Sequence, residues 1–386
     1  MTTEEPIIEY FRSSAEKWIE LLTELTSYDT PTNHELLVGA FVAHYRQLLE
    51  DVGLHCEEIP GTAGPQLIAE KRPAHETSPP IVLVGHSDTV WPVGEVEKRP
   101  PRVEGGKLFA PGVYDMRGGL CLIVAFLHYL RDHSVDLPCR LQVYVTADEE
   151  LGSITSKPHM KRLFPTNTTA LILEPPTREG NLKGTRKGVG MYKLEAYGTE
   201  SHAGADPDRG ASAVHEIARQ ILEVENYADS SREITVNVGQ VQGGTANNVV
   251  AGHATAGVDV RFKRQEDGDR IDRSFQDLRP KDSRIQLQVS GGIIFPPLEA
   301  TPRNQKLCQA AVDAAKSVGL DIGIGKTGGG SDGSFLSSLG LGVIDGLGID
   351  GDGAHSINEH VVMDRLPIRA AALTRLVLEL ARNPIE

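Results

Sequence analysis

Three short apolar runs, PPIVLVGHSDTV, RLQVYVTADEE and TALILEPP, constrain the fold of this chain more than any other feature. Each is rich in β-branched residues, is short for a helix, and is closed by acidic or imidazole side chains. That is how a strand buried on both faces of a parallel sheet reads. Between the first two runs GGLCLIVAFLHYLRDH reads as a helix, and SKPHMKRLF leads into the third. Strands and helices therefore alternate, which predicts an α/β sheet covered by helices on both faces. In such sheets ligands gather beyond the carboxyl ends of the strands, where the closing polar residues stand.

From Ile8 to about Val52, WIELLTEL and HELLVGAFVAHYRQLLEDVG place apolar residues three and four apart and Gly53 stops the pattern, so two surface helices are expected to open the chain. After about Arg186 the character changes. GVGMYKLEAYGTES, ASAVHEIARQILEVEN, REITVNVGQVQGG, HATAGVDVRFK, DGDRIDRSFQDL and RIQLQVSGG read as strand, helix, strand, strand, helix, strand. That order suits a small ferredoxin-like α+β sandwich. NQKLCQAAVDAAKSVG, LGLGVIDGLG and MDRLPIRAAALTRLVLELARN then read as a helix, a short strand and a closing helix that return to the first domain. The expected organisation is a first domain over 1–186, an inserted domain over 187–296, and the remainder of the first domain over 297–386.

Composition narrows the partners. The 386 residues allow two or three domains, each with its own core. A formal net charge of −14 repels nucleic-acid phosphates and anionic membrane surfaces, and no Lys/Arg run offsets it locally. The start MTTEEPIIEY lacks a basic, apolar leader, and no run of about 18 apolar residues suggests a membrane span. Neither a nucleic-acid nor a membrane partner is expected. Cys56, Cys121, Cys139 and Cys308 are scattered without CxxC spacing, which points away from a thiolate metal site and from a disulfide framework. A reducing cytoplasm is the expected location.

The residues able to do chemistry sit at strand ends or in adjoining loops. His86 and Asp88 are two apart, so the carboxylate can act as an orienting partner of the imidazole. Asp115 lies in APGVYDMRGG, where an Asx turn before a helix is the plainer explanation. Glu149 and Glu150 are adjacent and their side chains diverge; one carboxylate can bind a metal while the other reaches water, or both can belong to a solvated turn. Glu174 interrupts an apolar run and needs a partner or a cation. His355 lies in the Gly- and Asp-rich loop GIDGDGAHSINEH, where a solvated histidine is the alternative. Taken together, two divalent cations carry +4, and Asp115, Glu150, Glu174 and one hydroxide supply −4, a balance that a low-dielectric cleft tolerates. Three carboxylates with two imidazoles and no thiolate suit Zn²⁺, and also Co²⁺ or Mn²⁺. GKTGGGSDGSF is not a phosphate-binding loop, because Lys326 precedes the glycines, and KGVGMY is not GxGxxG.

The motifs HSDTV, DMRGG, DEE, LEPP and GAHS, in this order, resemble those of the M20 metallopeptidase family, and the nearest branch resembles the glutamate carboxypeptidases of the carboxypeptidase G type. The resemblance covers nearly the whole chain. It implies a zinc-peptidase-like catalytic domain with a mixed sheet covered by helices, plus an inserted ferredoxin-like lid and dimerisation domain. It further implies that Asp115 bridges two metals, that His86 and Glu174 complete one site, and that Glu150 and His355 complete the other. Asp88 would orient His86, Glu149 would be the general base, and Asp115–Met116 would be a candidate cis peptide. Arg117 stands where the family commonly has Lys. In the motif SHAG, His202 matches a histidine that a partner subunit contributes to the scissile carbonyl oxygen. Asn248 and Arg261 match groups that hold the substrate's carboxylate end, and Gly329 and Gly330 lie in a loop lining the substrate pocket.

The function these readings imply is a homodimeric, two-metal amidohydrolase that releases a C-terminal, glutamate-like amino acid from an N-acyl or peptide substrate. A deacylase or desuccinylase of the same fold would share every metal ligand. A biosynthetic, non-hydrolytic relative is the alternative outside hydrolysis.

Overall fold

The computed structural model describes residues 5–385. They form two compact units: a catalytic unit of residues up to 185, 300–327 and 331 onward, and an inserted unit of 186–299 with 328–330. The chain opens with α1 (Glu5–Ser13), α2 (Ala15–Leu25) and α3 (Glu35–Glu50). Three helices thus stand where two are expected. At the break the Ser14 hydroxyl donates to the Tyr10 carbonyl at 2.6 Å and accepts the Trp18 indole N–H at 2.9 Å, drawing hydrogen bonds away from a continuous helix. Phe11, Trp18, Leu22, Leu25, Phe41 and Tyr45 bury the inner faces of these helices.

The catalytic unit continues with β1 (His55–Ile59), β2 (Gln66–Lys71), β3 (Ser78–His86), α4 (Gly118–Asp132), β4 (Cys139–Thr146) and β5 (Thr169–Ile172). The inserted unit holds β6 (Gly188–Tyr197), α5 (Ala213–Glu225), β7 (Thr235–Gly243), β8 (His253–Phe262), α6 (Gln265–Gln276) and β9 (Gln286–Phe295). The chain then returns through α7 (Pro302–Ser317), β10 (Gly342–Asp345) and α8 (Leu366–Arg382).

The catalytic sheet runs β1-β2-β4-β3-β5-β10. β4, β3, β5 and β10 are mutually parallel, and β1 and β2 close one edge antiparallel, so the sheet is mixed. Residues Ile81–His86 of β3 and Leu141–Thr146 of β4 are buried without interruption, as strands covered on both faces must be.

α4 is the central core helix. The helical stretch Val113–Asp132 is long and apolar enough to cross a membrane by length and mean hydropathy, although charged residues interrupt it, and 89% of its apolar window is buried inside the fold. Its apolarity serves packing. Gly119 in its first turn is required sterically, because a Cβ there would lie 2.0 Å from the Leu173 carbonyl oxygen. That approach sets the loop carrying Asp115 beside the segment carrying Glu174.

In the inserted unit the antiparallel order is β7-β8-β6-β9. α5 and α6 cover one face through Ile217, Val224, Ile271 and Phe275, which pack with Leu194, Val258 and Val260. With helices between the first and second and the third and fourth strands, this is the ferredoxin-like arrangement.

Candidate metal centre

The four parallel strands all end on one side of the catalytic sheet. His86 is the last residue of β3, Glu149 and Glu150 form a short turn after β4, and Glu174 follows β5 by two residues. His355 sits on a loop between the paired segments Gly351–Asp352 and His360–Val362. The base of that hairpin is fixed by Asp350, which accepts two bonds from Arg369, at 2.7 and 2.8 Å.

These side chains converge. His86 Nε2 lies 3.2 Å from Asp115 Oδ1 and 3.4 Å from Glu174 Oε1. His355 Nε2 lies 3.4 Å from Asp115 Oδ2 and 3.2 Å from Glu150 Oε2. Asp115 therefore turns one oxygen toward each imidazole. Candidate ligand atoms of His86, Glu149 and Glu174 lie within 4.8 Å of one another, as do those of His86, Asp115 and Glu150. The adjacent glutamates thus diverge into two groups, as their neighbouring positions predict. The Asp115–Met116 peptide is cis.

The electrostatics of the cluster call for a cation. Burial pushes the Glu149 carboxyl well above its ordinary range, and the nearby Glu174 charge adds to that; burial likewise raises Glu150. Burial would lower His86, but hydrogen bonds to Asp115, Asp88 and Glu174 override it and hold the imidazole protonated. Hydrogen bonds to Asp115 and Glu150 raise His355 to about 10. Without a metal, protons supply the positive charge that the carboxylates require. Glu150 Oε1 is buried with no hydrogen-bond partner among the described residues. A buried carboxylate oxygen left in that state is costly, and a divalent cation ligated by oxygen and imidazole satisfies it. The donor set therefore fits a pair of such ions.

Residues around the cluster fix its geometry. The Asp88 carboxylate accepts the backbone N–H groups of Glu149 and Glu150, each at 3.2 Å, and the Thr32 hydroxyl at 2.8 Å. His86 Nδ1 lies 3.0 Å from the Asp88 carbonyl and 3.4 Å from its Oδ1, so the main chain is the nearer partner of the imidazole and the carboxylate chiefly holds the Glu149–Glu150 turn. Arg117 is buried, donates to Thr30 Oγ1 at 2.5 Å and to the Ser87 carbonyl at 3.0 Å, and lies over the Phe41 ring. Asp332 accepts the hydroxyls of Thr146 and Ser153 behind the same turn. Sequence reasoning passed over Thr32, Asp332 and Glu359. The signal for Glu359 was its place in the GAHSINEH loop, four residues beyond His355.

The other predicted residues lie in the inserted unit. His202 is exposed, and its Nδ1 accepts the N–H groups of Gly204 at 3.1 Å and Ala205 at 3.0 Å. With Nδ1 accepting, the proton of the neutral ring resides on Nε2. Asn248 is bound to the same segment, its carbonyl accepting the Ala203 N–H at 2.9 Å. Arg261 forms a two-point ion pair with Asp259, at 2.8 and 2.7 Å, and donates to the Gly328 carbonyl at 3.2 Å. It is a paired arginine rather than a lone one. Within the inserted unit, the Gly329 and Gly330 carbonyls accept from Arg186 Nη1 at 3.2 and 2.9 Å.

A mixed sheet with two imidazoles and a fan of carboxylates at its parallel ends, carrying a ferredoxin-like insertion, defines a class of metal-dependent hydrolases that use paired metal ions. The chain belongs to peptidase family M20/M25/M40, whose profile matches residues 82–379. It is 31% identical over 309 residues to carboxypeptidase G2 from Pseudomonas sp. (strain RS-16), covering 78% of this chain and 74% of that protein. It is 26% identical over 322 residues to succinyl-diaminopimelate desuccinylase from Stenotrophomonas maltophilia (strain K279a), covering 78% and 84% of the two chains. The crystal structure of a tripeptidase from Staphylococcus aureus superposes with a TM-score of 0.77 at 20% identity, covering 96% of this chain and 99% of that one, and so shares the fold.

Proposed function

We propose that this hydrolase cleaves an amide bond to release a C-terminal, glutamate-like amino acid from an N-acyl or peptide substrate. The observation that carries the reading is the division of Asp115 between His86 and His355. His86, Asp115 and Glu174 would hold one divalent cation, and Asp115, Glu150 and His355 the other. Zinc suits these donors, as do cobalt and manganese. When bound, such a pair would lower the pKa of a coordinated water toward about 7 and polarise the scissile carbonyl.

The chain's own groups supply the proton transfers and the orientation. Glu149, held by Asp88 through its backbone, takes a proton from the attacking water; as the C–O bond forms and the C–N bond breaks, it returns that proton to the leaving amine. His202 donates its Nε2–H to the developing oxyanion. Arg261 and Asn248 receive the substrate carboxylate, with Gly329 and Gly330 along the pocket. The Asp259 pair sets the plane of the Arg261 fork, favouring a bidentate contact.

In this reading the enzyme works as a homodimer in which His202 serves the partner's site. β7 supports it: it is an edge strand with no outer strand partner among the described residues, and Val241 on it is 56% exposed. Such an edge is a template for pairing with another chain. Four buried, unpaired cysteines support a reducing, cytoplasmic location.

The experiment is amine release from a panel of N-acyl amino acids and blocked dipeptides, with and without chelator, for the wild type and Glu149→Gln. Chelator-sensitive release of a C-terminal glutamate-like residue is expected. Glu149→Gln should keep its metal and lose about 10²–10⁴-fold in rate. A preference for releasing the acyl group from diamine-type substrates would move the assignment to a deacylase.

A further inference from the structure

We infer that Glu359 is the positioning residue for the metal bridge, setting the backbone of the 112–115 segment so that Asp115 divides its oxygens between the two imidazoles. The inference rests on the two-metal reading above. Glu359 is 1% exposed, and its carboxylate accepts from four donors. Oε1 accepts the backbone N–H groups of Tyr114 and Asp115, both at 3.0 Å. Oε2 accepts the Gly112 N–H at 2.9 Å and the Trp91 indole N–H at 3.0 Å. Four donors fill the acceptor capacity of one carboxylate.

The need for this acceptor follows from the local backbone. Gly112, Tyr114 and Asp115 stand ahead of α4, in a segment whose Asp115 (φ −116°, ψ 92°) and Met116 (φ −135°, ψ 41°) are not helical, so their N–H groups lack the carbonyl partners four residues earlier that a helix supplies. Glu359 replaces those partners. The same loop grips Asp115 at its other end, because His355, held at a positive φ of 61°, approaches Oδ2. One seven-residue hairpin loop and its first flanking residues thus fix both the backbone and the carboxylate of the bridging residue.

A purely structural filler here would be better neutral. A buried carboxylate beside a cluster that already contains Asp115, Glu150 and Glu174 adds repulsion unless cations are bound. With cations in place, the extra negative charge behind the bridge becomes favourable. Partners that orient a ligand in this way typically govern metal affinity by 10–100-fold.

The test uses the full chain, stripped of metal and titrated with Zn²⁺, with affinities read by competition against a chromogenic chelator. Glu359→Gln, which cannot accept at all four donors, should weaken both metals by about 10–100-fold. It should lower kcat with KM changed less than about threefold. Glu216→Gln is the control. Glu216 is another fully buried carboxylate clamp, accepting the N–H groups of Lys281 at 2.8 Å and Asp282 at 3.1 Å in the inserted unit. That variant should lose thermal stability and keep wild-type metal affinity. If Glu359→Gln does not fold, Trp91→Phe removes one of the four donors and must still weaken metal binding severalfold. Wild-type affinity in whichever Glu359-clamp variant folds, or equal weakening in Glu216→Gln, overturns the inference alone. A wild-type protein that binds no metal overturns the two-metal reading as well.

Discussion

Asp88 accepts the backbone N–H of Glu149 at 3.2 Å across 61 residues of sequence, tying the proposed base to the end of the strand that carries His86. The bond makes the orientation of Glu149 a property of β3 and β4 together rather than of a free turn. Replacing Asp88 by Ala leaves the Glu149 and Glu150 N–H groups without their acceptor inside a buried site. The variant should lose about 1–3 kcal/mol of stability. It should also lose about 10–100-fold in kcat with weaker metal retention. Urea unfolding and steady-state kinetics on the same preparation check both. Unchanged kcat would show that the turn holds Glu149 without Asp88.

Asp332 gives the stability a defined pH dependence. Burial raises its carboxyl to about 7, against about 3.9 for an unfolded chain. Between those values the folded protein holds a proton that the unfolded chain has released, so the stabilisation from this group is complete below about pH 4 and is lost as pH rises through 7. Asp332→Asn cannot titrate. In metal-stripped protein, the urea midpoint of the variant should therefore gain on the wild type between pH 5 and pH 8. A difference that stays flat with pH would contradict the assignment.

The strand-and-helix alternation and the order of elements in the insertion were legible from periodicity, because buried parallel strands and amphipathic helices carry distinct patterns. His86, Glu149, Glu150 and Glu174 were legible because polar side chains at the ends of apolar runs need a reason to be there. Asp115 and His355 were weaker, since Gly-rich loops hold such residues for turn geometry too, and the motif order singled them out. Glu359 and Asp332 were passed over for a different reason. Their roles depend on backbone N–H groups and hydroxyls brought close by the fold, as with Glu359 reaching Gly112 from 247 residues away. The two-point pairing of Arg261 was missed although Asp259 stands only two residues away, facing the same side of β8.

His202 offers Nε2–H as a donor, and its loss should cost about 10²–10³-fold in kcat, the usual effect of removing one oxyanion donor. If His202 serves the partner's site, mixing inactive His202→Ala with inactive Glu149→Gln subunits should restore part of the activity. Absence of recovery after verified subunit exchange would place His202 outside the shared site.

Arg261→Ala should raise KM at least tenfold for substrates with a free C-terminal carboxylate and change it little for the matching C-terminal amides. Asp259→Asn, which frees the guanidinium from its ion pair, should move KM for the carboxylate substrates while sparing kcat. Equal effects on acid and amide substrates would remove Arg261 from carboxylate recognition.

The most direct test of the central claim is the metal stoichiometry of the wild type and of Asp115→Asn, measured by elemental analysis on protein reconstituted with Zn²⁺ and freed of excess ion. The account predicts two ions per chain in the wild type and a loss of tight binding at both sites in the variant, because one carboxylate serves both. One ion or none in the wild type, or two ions still held tightly without the Asp115 carboxylate, would contradict it.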